Sequence, residues 1–294
     1  MVGNSKMNIK LITDAPKHNL ALMRLSSKLK NEGHNVFLGT PQDPCDVSYG
    51  SWLFNQSYPT DYAGGVAVDP QLRLPLNGYK PDYSLFPIDY SLGWTWEYCP
   101  RKCPFCVVPK QNNPKEHHSI WEFHDTRFSK IILLNNNTFT DPQWRETFAE
   151  ISEAHLTVID QNGYDLRLMD LEKLNYLNST KFEGLLHFAF DCIEDESEIR
   201  QGLKVLQGVT HQVQVYVMVG YPNGRWIDET DIVRCQIIAD AGFDPFIMVY
   251  NRKIRSKEPR MAQLNQFQRL VNRIFIWRKL GFTKAWQTYR CADE

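Results

Sequence analysis

No apolar run in this 294-residue chain approaches the ~20 residues that a membrane-spanning helix needs, so it holds no candidate span. Neither sign of charge is in surplus. The 33 basic and 34 acidic side chains leave a formal net charge of −1, a balance that calls for no nucleic acid, membrane surface or polyanion as partner. There is no glycine-rich phosphate loop, no serine-hydrolase elbow and no internal repeat. A disulfide framework is not expected, because seven cysteines is an odd count and the first residues do not read as a secretory signal. A reducing, cytoplasmic setting is the expectation that follows. The length allows a large core, either as one barrel-sized domain or as a small domain ahead of a larger one.

What the chain does have is Cys99, Cys103 and Cys106, within the run Trp94-Thr-Trp-Glu-Tyr-Cys-Pro-Arg-Lys-Cys-Pro-Phe-Cys-Val-Val-Pro109. A CxxxCxxC loop delivers three thiolates to one small volume, and on a four-iron cluster three thiolates leave the fourth iron without a protein ligand. That open iron is where a substrate or cofactor binds. The competing reading is a structural zinc site of the Cys3His kind, with His117 or His118 as fourth ligand. Zinc knuckles and ribbons usually show two separated ligand pairs, whereas this chain shows one triplet and no second pair. Cys45, Cys192, Cys235 and Cys291 stand singly and read as small apolar residues or incidental thiols.

Periodicity divides the chain near the triplet. Asn8 to Thr13 reads as a strand, Asn19 to Lys30 as a helix with Leu20, Met23, Leu25 and Leu29 at helical spacing, and His34 to Leu38 as the next strand. A further apolar piece runs from Val47 to Phe54. Residues 70–90, with Pro70, Pro75, Pro81 and Pro87, read as an irregular connector. Strands then alternate with helices: Tyr90–Trp96, Lys130–Asn135, Leu156–Asp160, Leu185–Asp191, Val213–Val219 and Pro245–Tyr250, with helices over Asp141–Ala154, Asp170–Asn178, Ser197–Val209 and Asp228–Ala241. Such alternation argues for a mostly parallel sheet with helices outside. The tail carries one more helix, Ala262 to Leu280, whose Leu264, Phe267, Leu270, Val271, Ile274, Phe275 and Trp277 form an apolar stripe suited to covering a core.

The CxxxCxxC spacing, with aromatic Phe105 just before the last cysteine, resembles the radical S-adenosylmethionine superfamily. The resemblance implies an α/β fold, a partial (β/α)6 TIM-like barrel over residues 85–256, preceded by a small α/β domain over 1–84 and followed by a helical extension over 257–294. It implies a [4Fe–4S] cluster on Cys99, Cys103 and Cys106, and S-adenosylmethionine chelating the open iron and cleaved reductively to a 5′-deoxyadenosyl radical. It also implies an electron donor such as flavodoxin or ferredoxin. The leading segment resembles a shortened cobalamin-binding domain through Asn19-Leu-Ala-Leu-Met-Arg-Leu-Ser26 and Cys45-Asp-Val-Ser-Tyr-Gly-Ser-Trp-Leu-Phe54. The DxHxxG loop of such domains is missing, since Asp14-Ala-Pro-Lys-His18-Asn has other spacing and no following glycine, so cobalamin is not expected.

The remaining assignments follow from the superfamily pattern at strand ends. Phe105 would cover the adenine side of the cluster. Asn135, Asn136 and Asn137 stand where the superfamily places a Gly-Gly-Glu-like motif for the amino group of S-adenosylmethionine; an amide carbonyl can accept from an ammonium, and an asparagine run after a strand also serves as a plain turn. Arg167 could fork onto the methionyl carboxylate or pair with Asp165 or Asp170. Asp191 could accept from the ribose hydroxyls. His187 shares its side of the strand with Ala189 and Asp191. Gly220 would let backbone approach adenine, with Met218 or Tyr221 against its face, and Tyr250 would lend backbone groups at the last strand. The same residues fit a strand closed by a Gly and Pro turn. Positive charge over Asn251–Arg255 reads as a rim. The substrate is not legible, because abstraction by a carbon radical needs positioning rather than a diagnostic acid or base. Cobalamin-dependent methyl transfer and a non-catalytic zinc or iron–sulfur protein stay open as alternatives.

Overall fold

The computed structural model describes residues 5–55, 58–76, 78–222, 225–250 and 259–290. The chain forms two compact units, one of residues 1–136 and 140–157, the other of 137–139 and 158–294.

The first unit opens with β1 (Asn8–Thr13), α1 (Leu20–Asn31), β2 (Asn35–Leu38), β3 (Val47–Ser51) and β4 (Tyr62–Gly64). They form a sheet of order β2-β1-β3-β4 in which every pairing is parallel. The helix starts at Asn19 because its Oδ1 accepts the Leu22 N–H at 3.1 Å, while its Nδ2 donates to Ser51 O and Thr13 Oγ1, fixing the helix entry to the ends of β1 and β3. Leu20, Leu22, Met23, Leu25 and Leu29 bury one face, each contributing about 2 kcal/mol of apolar burial. The connector follows as expected, irregular but anchored: Asp82 takes Lys30 Nζ and Ser26 Oγ, both at 2.6 Å, and the buried Tyr83 hydroxyl donates to Phe123 O at 2.7 Å.

Next come β5 (Ser91–Gly93) and β6 (Lys130–Leu133), paired in parallel. A Cβ on Gly93 would lie 2.2 Å from Phe123 Cγ, so only glycine fits that strand end. Helix α2 (Trp144–Glu153) begins three residues later than expected. Asp141 does not cap it, because its carboxylate is committed to His117 and to the Gln143 N–H.

The second unit alternates β7 (Thr157–Ile159, from its second residue), α3 (Leu171–Ser179), β8 (Lys181–Glu183), β9 (Leu186–Ala189), α4 (Glu196–Val205), β10 (Val213–Val219), α5 (Glu229–Asp240) and β11 (Asp244–Val249). Strands β9, β10 and β11 form a parallel sheet with β10 central. Burial alternates along them: Leu186, Phe188, Val215, Val217, Val219 and Ile247 are enclosed, while His187, Tyr216 and Met248 on the opposite face keep surface open. The six expected strands are thus all present in a mixed α/β, parallel fold; β8 is an additional short strand the alternation did not announce.

The tail departs from expectation. The single helix expected over 262–280 is two, α6 (Pro259–Val271) and α7 (Ile274–Leu280), and a third, α8 (Phe282–Arg290), follows it. The break falls where Asn272 Oδ1 accepts the Ile247 N–H at 2.7 Å; Gln268 Nε2 donates to Ile247 O at 2.9 Å, so the helix end completes the hydrogen bonding of edge strand β11. After the break Phe275 turns outward, 70% exposed, and does not belong to the buried stripe, whereas Leu264, Phe267, Leu270, Val271 and Trp277 do.

Candidate functional site

The thiol loop leaves β5 and returns toward β6. Its neck is closed by an antiparallel bridge between Trp96 and His117, with the His118 N–H donating to Thr95 O at 2.9 Å. Lys115 Nζ lies 4.4 Å from the centre of the Tyr98 ring, a cation–π contact one residue before Cys99. Arg73, from the connector, donates through Nη1 to the Glu97 carboxylate and through Nη2 to Asn113 Oδ1, so one guanidinium spans both limbs. Inside this frame the Cys106 N–H donates to Cys103 O at 3.0 Å, closing a four-residue turn with Pro104 at its second position, where the fixed proline φ suits a turn. Two of the three thiols therefore sit at the two ends of one turn, with the half-buried Phe105 between them. The Val108 N–H points at Cys106 Sγ, 3.4 Å away, the kind of donor that tunes a metal-bound sulfur.

Cys99, Cys103 and Cys106 are half-buried, and none of them forms a disulfide. Their chemistry fits an iron–sulfur cluster: soft donors on one loop, a backbone N–H at a sulfur, and no disulfide to compete. A closed zinc site would need a fourth ligand: His117 Nδ1 is bonded to Asp141 at 2.6 Å and His118 Nδ1 pairs with Glu122, and among the described residues no three His, Cys, Asp or Glu side chains, the three thiols included, converge on one ion. Cys235 is wholly buried, which pushes its thiol far above the usual range, and Cys45 and Cys192 are half-buried; Cys291 lies outside the described residues.

The asparagine run divides by role. Buried Asn135 accepts from the Thr95 and Trp96 N–H groups at 2.9 and 3.0 Å and donates to Thr95 Oγ1 at 2.8 Å. Asn136 donates to Glu97 O. Both thus pin the ascending limb of the thiol loop. Asn137, in the second unit, donates to Asp165 Oδ2 at 3.0 Å. Arg167 meets it there: its Nε donates to Asp165 Oδ1 at 2.7 Å and its Nη1 to Asp195, so the ion pair is with Asp165 and Asp195, while Asp170 pairs with Lys173.

Asp191 follows β9 and accepts the Met218 N–H at 2.9 Å. Enclosure of its carboxyl raises it above the ordinary range, against the opposing pull of that N–H and of Arg234 and Arg167. Gly220 adopts φ +82°, a conformation that favours glycine, and the Tyr250 N–H donates to Val219 O at 3.0 Å. The Tyr221 and Tyr250 rings meet edge-on with centroids 5.0 Å apart. The cationic Asn251–Arg255 segment lies outside the described residues. His187 keeps the expected parity with Ala189 and stacks on Tyr216 at 5.0 Å.

Sequence reasoning missed Arg234. It is 2% exposed on α5, donates to Phe190 O, Asp191 O and Met218 O, and pairs with the fully buried Asp231, which also holds Arg225. A lone arginine in an apolar helical stretch was the only signal. Its five fixed donors explain its use: several strand-end carbonyls need partners at once. In the first unit, Asp14 has a related task, accepting the N–H groups of Leu53, Phe54 and Asn55 after β3, and His18 lies in a turn ahead of α1.

No family model and no curated protein matches the chain. Solved structures do. One is the radical S-adenosylmethionine methyltransferase TsrM from Kitasatospora setae with cobalamin and a [4Fe–4S] cluster bound: TM-score 0.56, 9% identity, covering 83% of this chain and 75% of that one. Another is TsrM with tryptophan substrate and the analogue aza-SAM: TM-score 0.53, 10% identity, covering 82% and 72%. At such identity the likeness is one of fold.

Proposed function

We propose that the chain is a radical S-adenosylmethionine enzyme, with a [4Fe–4S] cluster on Cys99, Cys103 and Cys106 and a partial (β/α)6 barrel over residues 85–256. The observation that carries this reading is the thiol loop, three half-buried cysteine thiols, none in a disulfide, on a neck-closed loop that follows a parallel strand. The fold likeness to TsrM supports it. When bound, the cluster and S-adenosylmethionine supply one-electron cleavage of the sulfonium and hence a radical for hydrogen abstraction. The chain's own residues hold and orient. Asn135 and Asn136 fix the backbone of residues 95–97 ahead of Cys99, and Phe105 would cover the adenine side of the cluster. Contacts to S-adenosylmethionine by Asn137, Arg167, Asp191, Gly220 and Tyr250 belong to the proposal; Asp191, Gly220 and Tyr250 come within two residues of a strand's end, where ligands bind in sheets of this class, while Asn137 and Arg167 lie further along the segments that follow β6 and β7. A flavodoxin- or ferredoxin-like electron donor and a cytoplasmic setting complete it.

Anaerobic reconstitution with iron and sulfide, then dithionite and S-adenosylmethionine, tests the reading. The expected result is about four irons per chain and formation of 5′-deoxyadenosine, both lost in Cys103→Ala. A fully loaded, reduced cluster that yields no 5′-deoxyadenosine overturns radical formation.

A second reading, cobalamin-dependent methyl transfer, is favoured by the reach of the fold likeness. A match over 83% of the chain exceeds what residues 85–294 can supply and so takes in part of residues 1–84. The loop after β1 does not fit histidine ligation of cobalt, since Asp14 is spent on three backbone N–H groups and the DxHxxG spacing is missing. A corrinoid would therefore have to be held without that histidine. Retention of a corrinoid absorption spectrum after desalting, with S-adenosylhomocysteine as product, supports this second reading; a colourless chain after incubation with hydroxocobalamin excludes it.

A further inference from the structure

We infer that Arg73 is a positioning residue for the cluster, a clamp that holds the two limbs of the thiol loop at a fixed separation. The inference rests on the cluster assignment above and extends it to a residue outside the cysteine motif, in the proline-rich connector.

The argument begins with the length of loop to be ordered. Between the bridge residues Trp96 and His117 the chain runs through all three cysteines, and residues 101–107 are irregular apart from the Cys103–Cys106 turn. Fixing such a segment costs about 1 kcal/mol or more per residue in backbone entropy, so a loop that must present three sulfurs together needs ties across its neck. The bridge itself closes only the base. Arg73 ties the limbs higher, at Glu97 and Asn113, two residues before Cys99 and seven after Cys106. Glu97 is well enclosed, with 13% of its side chain exposed against 41% for Arg73, so the carboxylate is the fixed point and the guanidinium reaches to it. Asn113 is in turn oriented by its Nδ2, which donates to Gln111 Oε1 at 3.2 Å and lies 3.4 Å from Val108 O. Val108 is the residue whose N–H points at Cys106 Sγ. A continuous chain of polar contacts thus runs from Arg73 through Asn113 and Val108 to one cluster sulfur. On the other limb it runs from Arg73 to Glu97, whose carbonyl is held by Asn136.

The residue type matters. A planar guanidinium offers separate N–H groups to two acceptors that lie apart, whereas an ammonium is a compact point charge. The positive charge has a second effect. Beside an anionic cluster it offsets Glu97, and its loss leaves an uncompensated carboxylate near the thiol loop, which disfavours uptake of an electron.

Three variants separate the two effects: Arg73→Met removes fork and charge, Arg73→Lys keeps the charge only, and Asn113→Ala frees one limb while leaving the Arg73–Glu97 pair. After anaerobic reconstitution, iron loss to a chelator is expected to accelerate about 10-fold in all three, the scale typical of partners outside the immediate ligand set. Spectroelectrochemistry is expected to show a more negative cluster potential in Arg73→Met and an unchanged one in Arg73→Lys. In the metal-free chains, amide exchange of His118, whose N–H closes the neck, is expected to quicken in Arg73→Met. Variants that release iron at the wild-type rate and keep its potential overturn the clamp while leaving the cluster in place. A wild-type chain that takes up no cluster overturns the reading on which the clamp rests; if metal-free Arg73→Met and wild type also exchange His118 equally, the clamp falls on its own evidence.

Discussion

Asp191 shows how one side chain can be identified in sequence while its state cannot. Its place after β9 follows from strand periodicity, but the enclosure that raises its carboxyl depends on atoms from β10 and α5. A carboxyl raised in the folded state binds its proton more tightly there than in the unfolded chain. Its favourable contribution is therefore full below the unfolded value, and is lost as pH rises through the elevated folded value. Asp191→Asn keeps an oxygen to accept the Met218 N–H without the buried charge. The variant is expected to match wild type in urea unfolding at pH 3 and to gain on it progressively toward pH 7. Arg234 makes the complementary case. Beyond its place in an apolar helical stretch, nothing in sequence shows what it binds, because Phe190, Asp191 and Met218, whose carbonyls it caps, are 16 or more positions away. Cys99, Cys103 and Cys106 were legible because their chemistry is written in spacing along one loop; Arg73 was not, because its two acceptors come from limbs that approach only after folding.

At the scale of elements, strands and the shorter helices were legible and the tail was only half so. The six strands announced themselves by apolar runs between turn residues, and in β9–β11 alternate burial follows directly from the two-residue repeat. The helical stripe of the tail gave the correct apolar residues up to Val271. It could not reveal that Asn272 leaves the helix to complete β11, since that requires a strand more than 20 residues earlier. Asn272→Ala leaves the Ile247 N–H without that acceptor and is expected to cost about 1–3 kcal/mol by denaturant unfolding. Phe275→Lys, one turn on and exposed, serves as the control, with an expected change within about 0.5 kcal/mol.

For the whole molecule, a net charge of −1 and the lack of any helix long and apolar enough to cross a membrane, among the described residues, leave the thiol loop as the most distinctive chemistry. A ligand that binds only the folded chain stabilises what it touches. Cluster loading is accordingly expected to raise hydrogen-exchange protection most over residues 91–136, with the gain read by mass spectrometry on metal-free and loaded chains; a gain concentrated instead in β9–β11 contradicts the assignment of the cluster to this loop. The neck also bears on how the protein is made. Arg73, Glu97, Asn113, the Trp96–His117 bridge, Asn135 and Asn136 all precede the second unit's strands in the chain. Translation runs from the amino terminus and domains tend to fold as they emerge. If the proposed cluster assignment holds, the parts of its cradle all precede β9, β10 and β11 in the chain, and iron delivery can begin on a nascent chain.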